Sequence, residues 1–255
     1  MFVDSHAHLA SLTPVQLQET VLRAHEAGVS SIINIGTNIE MSQLACGQCF
    51  IDFPLKMYSA VAISPPDIGF VTDTWEDDLR ALLSSPTTVA LGEIGIDGVN
   101  SSYLSLEQQR PFFHKQLELA KEYDLPVIIH GRGVEREALE TCVSMGIKKA
   151  QFHCFTGTSE DAIRIVDAGF VISFSGIITF KKSGFDDIVR SIPANQLLLE
   201  TDSPYLAPVP VRGSTNEPAN VAHVYRYAAA VRGVSVEKLA QDCQSTFESL
   251  FLAGH

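Results

Sequence analysis

The chain has 255 residues, of which 45% are hydrophobic and 19% charged, with a formal net charge of −12. This composition belongs to a globular protein that buries a large core. The acidic balance argues against binding nucleic acid through a broad basic surface. No run reaches the roughly 18 apolar residues of a membrane span, and Asp4 and His6 interrupt the apolar start that a signal peptide would extend. The cytoplasm is therefore the expected location.

Short apolar and β-branched runs recur in chain order: Phe2 to Leu9, Ser31 to Gly36, Tyr58 to Ile63, Thr88 to Ile96, Pro126 to His130, Ala150 to Phe155, Phe170 to Ser175 and Gln196 to Thr201. Segments with a 3.6-residue apolar rhythm separate them. Thr13-Pro14 starts the first helix with a hydroxyl cap and an early proline, and Thr158-Ser159-Glu160 starts a later one. Cys46 and Cys49 have redox or zinc spacing but lie in a predicted helix with no second pair, so all five cysteines are expected as free thiols. The clearest helix runs from Ser105 to Tyr123, with Phe112, Phe113, Gln116, Leu117 and Ala120 in one stripe. Gly28, Gly146 and Gly169 fall where helices should stop. Two further helices, Pro218 to Arg232 and Val236 to Phe251, follow the last strand.

Several of these strands are apolar on both faces, as parallel strands covered by helices are. Eight strands alternating with helices favour a (β/α)8 TIM-type barrel with C-terminal helices over an open doubly wound sheet. No glycine-rich phosphate loop follows the first strand, which weakens the dinucleotide-binding alternative. Nothing marks a linker, so residues 1–255 are expected to form one domain.

Six ionisable residues fall toward the C-terminal ends of these strands. His6 and His8 share one face of the first, Glu93 sits in the fourth, His130 closes the fifth, His153 lies in the sixth and Asp202 ends the eighth. An unpartnered charge beside such apolar runs costs several kcal/mol, roughly. One histidine on a strand is usually a hydrogen-bonded core residue, but six such residues on one rim, the face where barrels carry their chemistry, point to a metal site. Four imidazoles and two carboxylates suffice for two divalent ions, and Glu93, between the histidine groups, is the natural bridge.

The stretches Asp4-Ser5-His6-Ala7-His8, Gly92-Glu93-Ile94-Gly95-Ile96-Asp97, Pro126-Val127-Ile128-Ile129-His130, His153-Cys154-Phe155-Thr156-Gly157 and Glu200-Thr201-Asp202-Ser203-Pro204-Tyr205-Leu206 resemble the TatD-type metal-dependent deoxyribonucleases. Ser173-Phe174-Ser175-Gly176, Arg212-Gly213 and Asn216-Glu217-Pro218 continue the likeness over nearly the whole chain. The resemblance implies a barrel of the metallo-dependent hydrolase type that cleaves phosphodiester bonds in DNA. By position it implies one ion on His6, His8, Glu93 and Asp202 and a second on Glu93, His130 and His153. Strand four offers no lysine for the carbamate bridge of many binuclear relatives. The chain departs from the family in three places. Ser64-Pro65-Pro66-Asp67 replaces the family's histidine-bearing stretch after the third strand, Gly98 follows Asp97 where tyrosine is usual, and His130-Gly131-Arg132 replaces His-Ser-Arg.

The expected chemistry is hydrolysis by metal-activated water, with Asp202 as general base, Glu93 as bridge, and Arg132 and Arg212 as the guanidiniums that grip phosphate. Imidazole ligands favour Zn²⁺ or Mn²⁺, while the family is described as Mg²⁺-dependent. DNA ends or single strands are the expected partner, with no membrane and no obligate protein partner. A binuclear esterase or amidohydrolase acting on a small carbonyl or phosphoester substrate is the alternative. A non-catalytic metal-stabilised scaffold is a third reading.

Overall fold

Strands apolar on both faces need cover on both sides, and a closed barrel ringed by helices supplies it. The computed structural model describes residues 1–253. Its strands are β1 (Phe2–Ala7), β2 (Val29–Gly36), β3 (Lys56–Val61), β4 (Thr88–Asp97), β5 (Val127–Arg132), β6 (Ala150–Phe152), β7 (Val171–Phe174) and β8 (Leu197–Leu199). They form one sheet in chain order, every neighbouring pair parallel. The seam closes just beyond β8. Ala7 bridges Ser203, the Asp202 N–H donates to the His6 carbonyl at 2.9 Å, and the His8 N–H donates to the Ser203 carbonyl at 2.8 Å. These bonds bring both ends of the sequence-predicted ligand set to one point. The barrel and its eight strands match the sequence expectation, and the main difference is that β6 and β8 stop earlier.

The helices are α1 (Pro14–Glu26), α2 (Ile39–Gln48), α3 (Trp75–Leu83), α4 (Leu106–Glu122), α5 (Glu135–Ser144), α6 (Ser159–Asp167), α7 (Asp186–Ser191), α8 (Val221–Arg232) and α9 (Val236–Phe247). Thr13 and Thr158 cap α1 and α6 as expected, each in a reciprocal capping box. Each such cap is worth about 1 kcal/mol. The last two helices begin and end differently from the expectation. A 3-10 turn, Pro218–Asn220, precedes α8, and a π turn, Glu248–Leu252, follows α9. Helix α8 seats on β1 through Tyr225, whose buried hydroxyl donates to the Val3 carbonyl at 3.1 Å. Cys46 is buried in α2 and Cys49 caps it, and all five cysteines are free.

Two glutamines on the buried face of α4 tie it to strand ends. Gln116 accepts from the Ile63 N–H at 2.8 Å and donates to the Ile63 carbonyl at 2.9 Å. Gln109 accepts from the Asp97 N–H at 2.8 Å. The amides satisfy backbone groups left unpaired where the ladder ends. Phe112 is half-buried against Trp75, while Gln109 and Leu119 join the covered stripe.

Candidate metal centre

At the C-terminal mouth of the barrel lies a cavity of about 690 Å³, lined by His8, Glu93, His130, Arg132, His153, Asp202 and residues of the surrounding loops. Glu93 is its hub. Its Oε1 lies 2.7 Å from His130 Nδ1 and 2.9 Å from His153 Nε2, and its Oε2 lies 3.5 Å from His6 Nε2 and 3.8 Å from His8 Nε2. Asp202 Oδ1 completes the ring at 3.4 Å from His8 Nε2 and 3.8 Å from His6 Nε2. The six residues selected from the sequence thus converge on one point. Arg132 stands exposed on the cavity wall, whereas Arg212 is not part of the lining and stacks on the Phe180 ring at 3.6 Å.

Local backbone explains the convergence. His153 and Asp202 sit past the ends of β6 and β8, next to or within left-handed conformations at Cys154 (φ 42°) and Asp202 (φ 54°). Such strained residues gather where a site over-determines them. On β4, Gly95 has φ +141°, and a Cβ there would stand 1.9 Å from the His130 carbonyl oxygen. Only glycine lets β4 and β5 approach closely enough for His130 to fit between Glu93 and Asp97.

In the sequence Asp97 is only part of a motif, and the structure gives it a role. Its Oδ2 takes the His130 Nε2–H at 2.9 Å, while its Oδ1 accepts from the Val99 and Asn100 N–H groups at 2.8 Å each. Burial works against its charge, but the His130 bond and the two amides outweigh it and hold the carboxyl down at about 2. Asp97 therefore stays a carboxylate, fixing the tautomer that leaves His130 Nδ1 facing Glu93. The period of two along a strand is the available signal, since it sets Glu93 and Asp97 on one face.

Glu200 is a second such carboxylate, fully buried beneath His153. It accepts from Ser173 Oγ at 2.6 Å, Cys154 N at 2.7 Å and Gln151 Nε2 at 3.0 Å. Its Oε1 stands 3.5 Å from His153 Nδ1, long for a hydrogen bond, and that nitrogen has no other partner. Asp4 accepts from the Thr201 hydroxyl at 2.6 Å and the Thr201 N–H at 2.9 Å, locking the segment that delivers Asp202.

The donor set fits divalent cations. His6 Nε2 and His8 Nε2 face each other at 3.1 Å, and ligand atoms of Glu93, His130 and His153, of His6, His8 and Glu93, and of His6, His153 and Asp202 lie within 4.8 Å in each group. Burial penalises the Glu93 charge, but the surrounding imidazoles, His153 first, hold its carboxyl well below the usual range. Burial likewise opposes the Asp202 charge, and His8 and His6 reverse the effect. Four nitrogens and two carboxylates crowded into a buried space are the ligands of transition-type ions.

A parallel barrel with a histidine–carboxylate cluster at its C-terminal mouth defines a metal-dependent hydrolase of the TIM-barrel class. The profile of the family described as TatD related DNase matches residues 3–252. The chain is similar to the Escherichia coli K12 protein named uncharacterized metal-dependent hydrolase YcfH, 35% identical over 260 residues, with 98% of this chain and 95% of the relative covered. It also resembles the protein of Citrobacter koseri named 3'-5' ssDNA/RNA exonuclease TatD, at 33% identity with 91% and 92% covered. The crystal structure of YjjV, a TatD homologue from Escherichia coli K12, superposes with a TM-score of 0.91 at 29% identity, covering 98% of each chain. The chain belongs to the TatD family and is a metal-dependent hydrolase.

Proposed function

We propose that the protein hydrolyses phosphodiester bonds in DNA, at ends or in single strands. The observation that carries this reading is Glu93, placed between two pairs of imidazoles on the wall of an open cavity that also holds Arg132. A relative that is 33% identical is named a single-stranded DNA and RNA exonuclease. No helix among the described residues is long and apolar enough to cross a membrane.

In this reading His6, His8, Glu93 and Asp202 hold one divalent ion and Glu93, His130 and His153 the other. Divalent ions held by these residues would supply Lewis-acid chemistry, polarising a phosphoryl oxygen and lowering the pKa of water. Asp202, an ionised carboxylate on the cavity wall, accepts the proton of the attacking water. Arg132 takes the non-bridging phosphate oxygens with its planar guanidinium. Asp97 holds His130 in place behind Glu93, and Glu200 fixes the backbone next to His153 by accepting from the Cys154 N–H.

Turnover of bis(p-nitrophenyl) phosphate and of p-nitrophenyl acetate, with chelator and with added Mg²⁺, Mn²⁺ or Zn²⁺, tests the reading. Phosphodiester turnover that chelator abolishes and metal restores is expected. Ester turnover alone would transfer the site to carbonyl chemistry, and neither activity would make it a scaffold.

A further inference from the structure

The loops after β7 and β8 form one lobe beside the cavity. The Val209 N–H donates to Thr179 Oγ1 at 2.9 Å, and Arg212 lies over Phe180. Gly176 approaches Leu206 so closely that a Cβ there would meet its carbonyl oxygen at 2.0 Å. Ile177 and Leu206 of this lobe are cavity wall. The lobe also carries Lys181, Lys182 and Arg212, all exposed.

What sets these three cations apart is their place on a lobe that walls the cavity, since ten of the eighteen lysines and arginines have no carboxylate partner among the described residues. Of the helix-borne cations, Arg23, Arg80, Arg110, Lys115, Arg164 and Lys238 pair with a carboxylate, whereas Lys121, Arg226 and Arg232 do not. Among the described residues Lys181, Lys182 and Arg212 have no such partner, and neither has Arg132 across the cavity. The nearest acids in sequence are already engaged, Asp187 with Arg190 at 2.5 Å and Asp186 with the Tyr227 hydroxyl at 2.9 Å. A protein of net charge −12 therefore presents unneutralised positive charge beside the mouth of its metal centre. Tyr205, 61% exposed, lines that mouth.

We propose that this lobe is a second binding surface, outside the cleavage pocket, for the phosphodiester backbone of a single strand of nucleic acid leading out of the metal centre. The proposal rests on the phosphodiesterase reading above and adds where the uncleaved part of the substrate lies. The lobe that bears the cations walls the mouth through Ile177 and Leu206, while the loop after β3 contributes Ser64, Pro66 and Asp67. One charged lobe suits a single strand, with Tyr205 as a face on which a base stacks, better than a duplex with two backbones to neutralise.

The test is binding of phosphorothioate dT20 and dT3, which resist hydrolysis, to the metal-loaded protein by fluorescence anisotropy across a salt series. The variant is Lys181→Gln/Lys182→Asn/Arg212→Gln, with asparagine chosen because Lys182 has φ 64°. An unchanged melting temperature shows that it folds. Every phosphate that the variant no longer neutralises lowers the slope of log K against log salt by about 0.7, so the slope for dT20 should fall by about 2. Affinity for dT20 should drop about tenfold or more while that for dT3, too short to span pocket and lobe, stays level. Equal losses for both lengths, an unchanged slope, or a wild type that binds dT20 no better than dT3 would each overturn the lobe. Wild-type turnover of bis(p-nitrophenyl) phosphate judges the underlying reading separately. A lobe-dependent dT20 slope without that turnover keeps the surface and removes the hydrolysis.

Discussion

The floor of the cavity and its rim hold their polar groups in different ways. Glu93 and His130 lie within strands, His153 and Asp202 one to three residues past them, and each meets at least one further residue of the cluster within 3.5 Å. Arg132, Tyr205 and Arg212 stand exposed on the rim, and Arg212 lies over an aromatic face. The floor is preorganised by the barrel, so its chemistry is inseparable from its fold. The rim is attached to that floor and is free to vary.

Substitutions on the floor should remove metal and turnover together, and those on the rim should weaken substrate binding alone. The largest effect is expected from Glu93→Gln. It keeps the shape but removes the charge that faces four imidazoles. Metal content measured by elemental analysis should fall from about two ions per chain, and turnover should fall to the level of chelated protein. Full metal occupancy in this variant would show that Glu93 is not the hub.

Asp202→Asn separates two roles within the floor. Glu93, His130 and His153 remain to hold the second ion, so about one ion should stay bound. Loss of the base should lower kcat about 10²–10⁴-fold. Retained turnover would remove Asp202 from the proton transfer.

Asp97→Ala tests the support behind the floor. Its carboxylate fixes the His130 tautomer without facing the other ligands, and losing such an outer partner usually costs about 10–100-fold in metal affinity. Asparagine can still accept from Nε2–H and should restore part of the loss. Competition with a chromogenic chelator measures both variants, and equal affinities in Ala and Asn would reduce Asp97 to a packing role.

The same contrast governs what is legible in the sequence. Floor residues interrupt apolar strands, and burial makes each interruption conspicuous, so His6, His8, Glu93, His130, His153 and Asp202 stand out. Strand limits are less legible, because the ladder ends at Phe152 and Leu199 through left-handed turns at Cys154 and Asp202 that apolar patterning does not mark. Asp97 and Glu200 lie beside recognised ligands, but only the folded chain shows which nitrogen each one faces. Rim arginines carry no periodicity. Arg132 and Arg212 look equivalent in the sequence, and only the fold puts one on the cavity wall and the other on Phe180.

Arg132→Ala should have the smallest effect of the four and a different signature. The side chain is exposed on the cavity wall and touches none of the six ligands within bonding distance. Metal content and melting temperature should therefore match wild type. If the guanidinium grips phosphate equally in the ground and transition states, KM rises while kcat holds. A charge-assisted hydrogen bond is worth about 1.5–3 kcal/mol, but solvent screening at an exposed site trims it toward the lower end. KM for bis(p-nitrophenyl) phosphate should thus rise about tenfold, by the usual 1.4 kcal/mol per decade. A fall in kcat with KM unchanged would instead place Arg132 on charge that develops only in the transition state, and would move it from the rim to the chemistry of the floor.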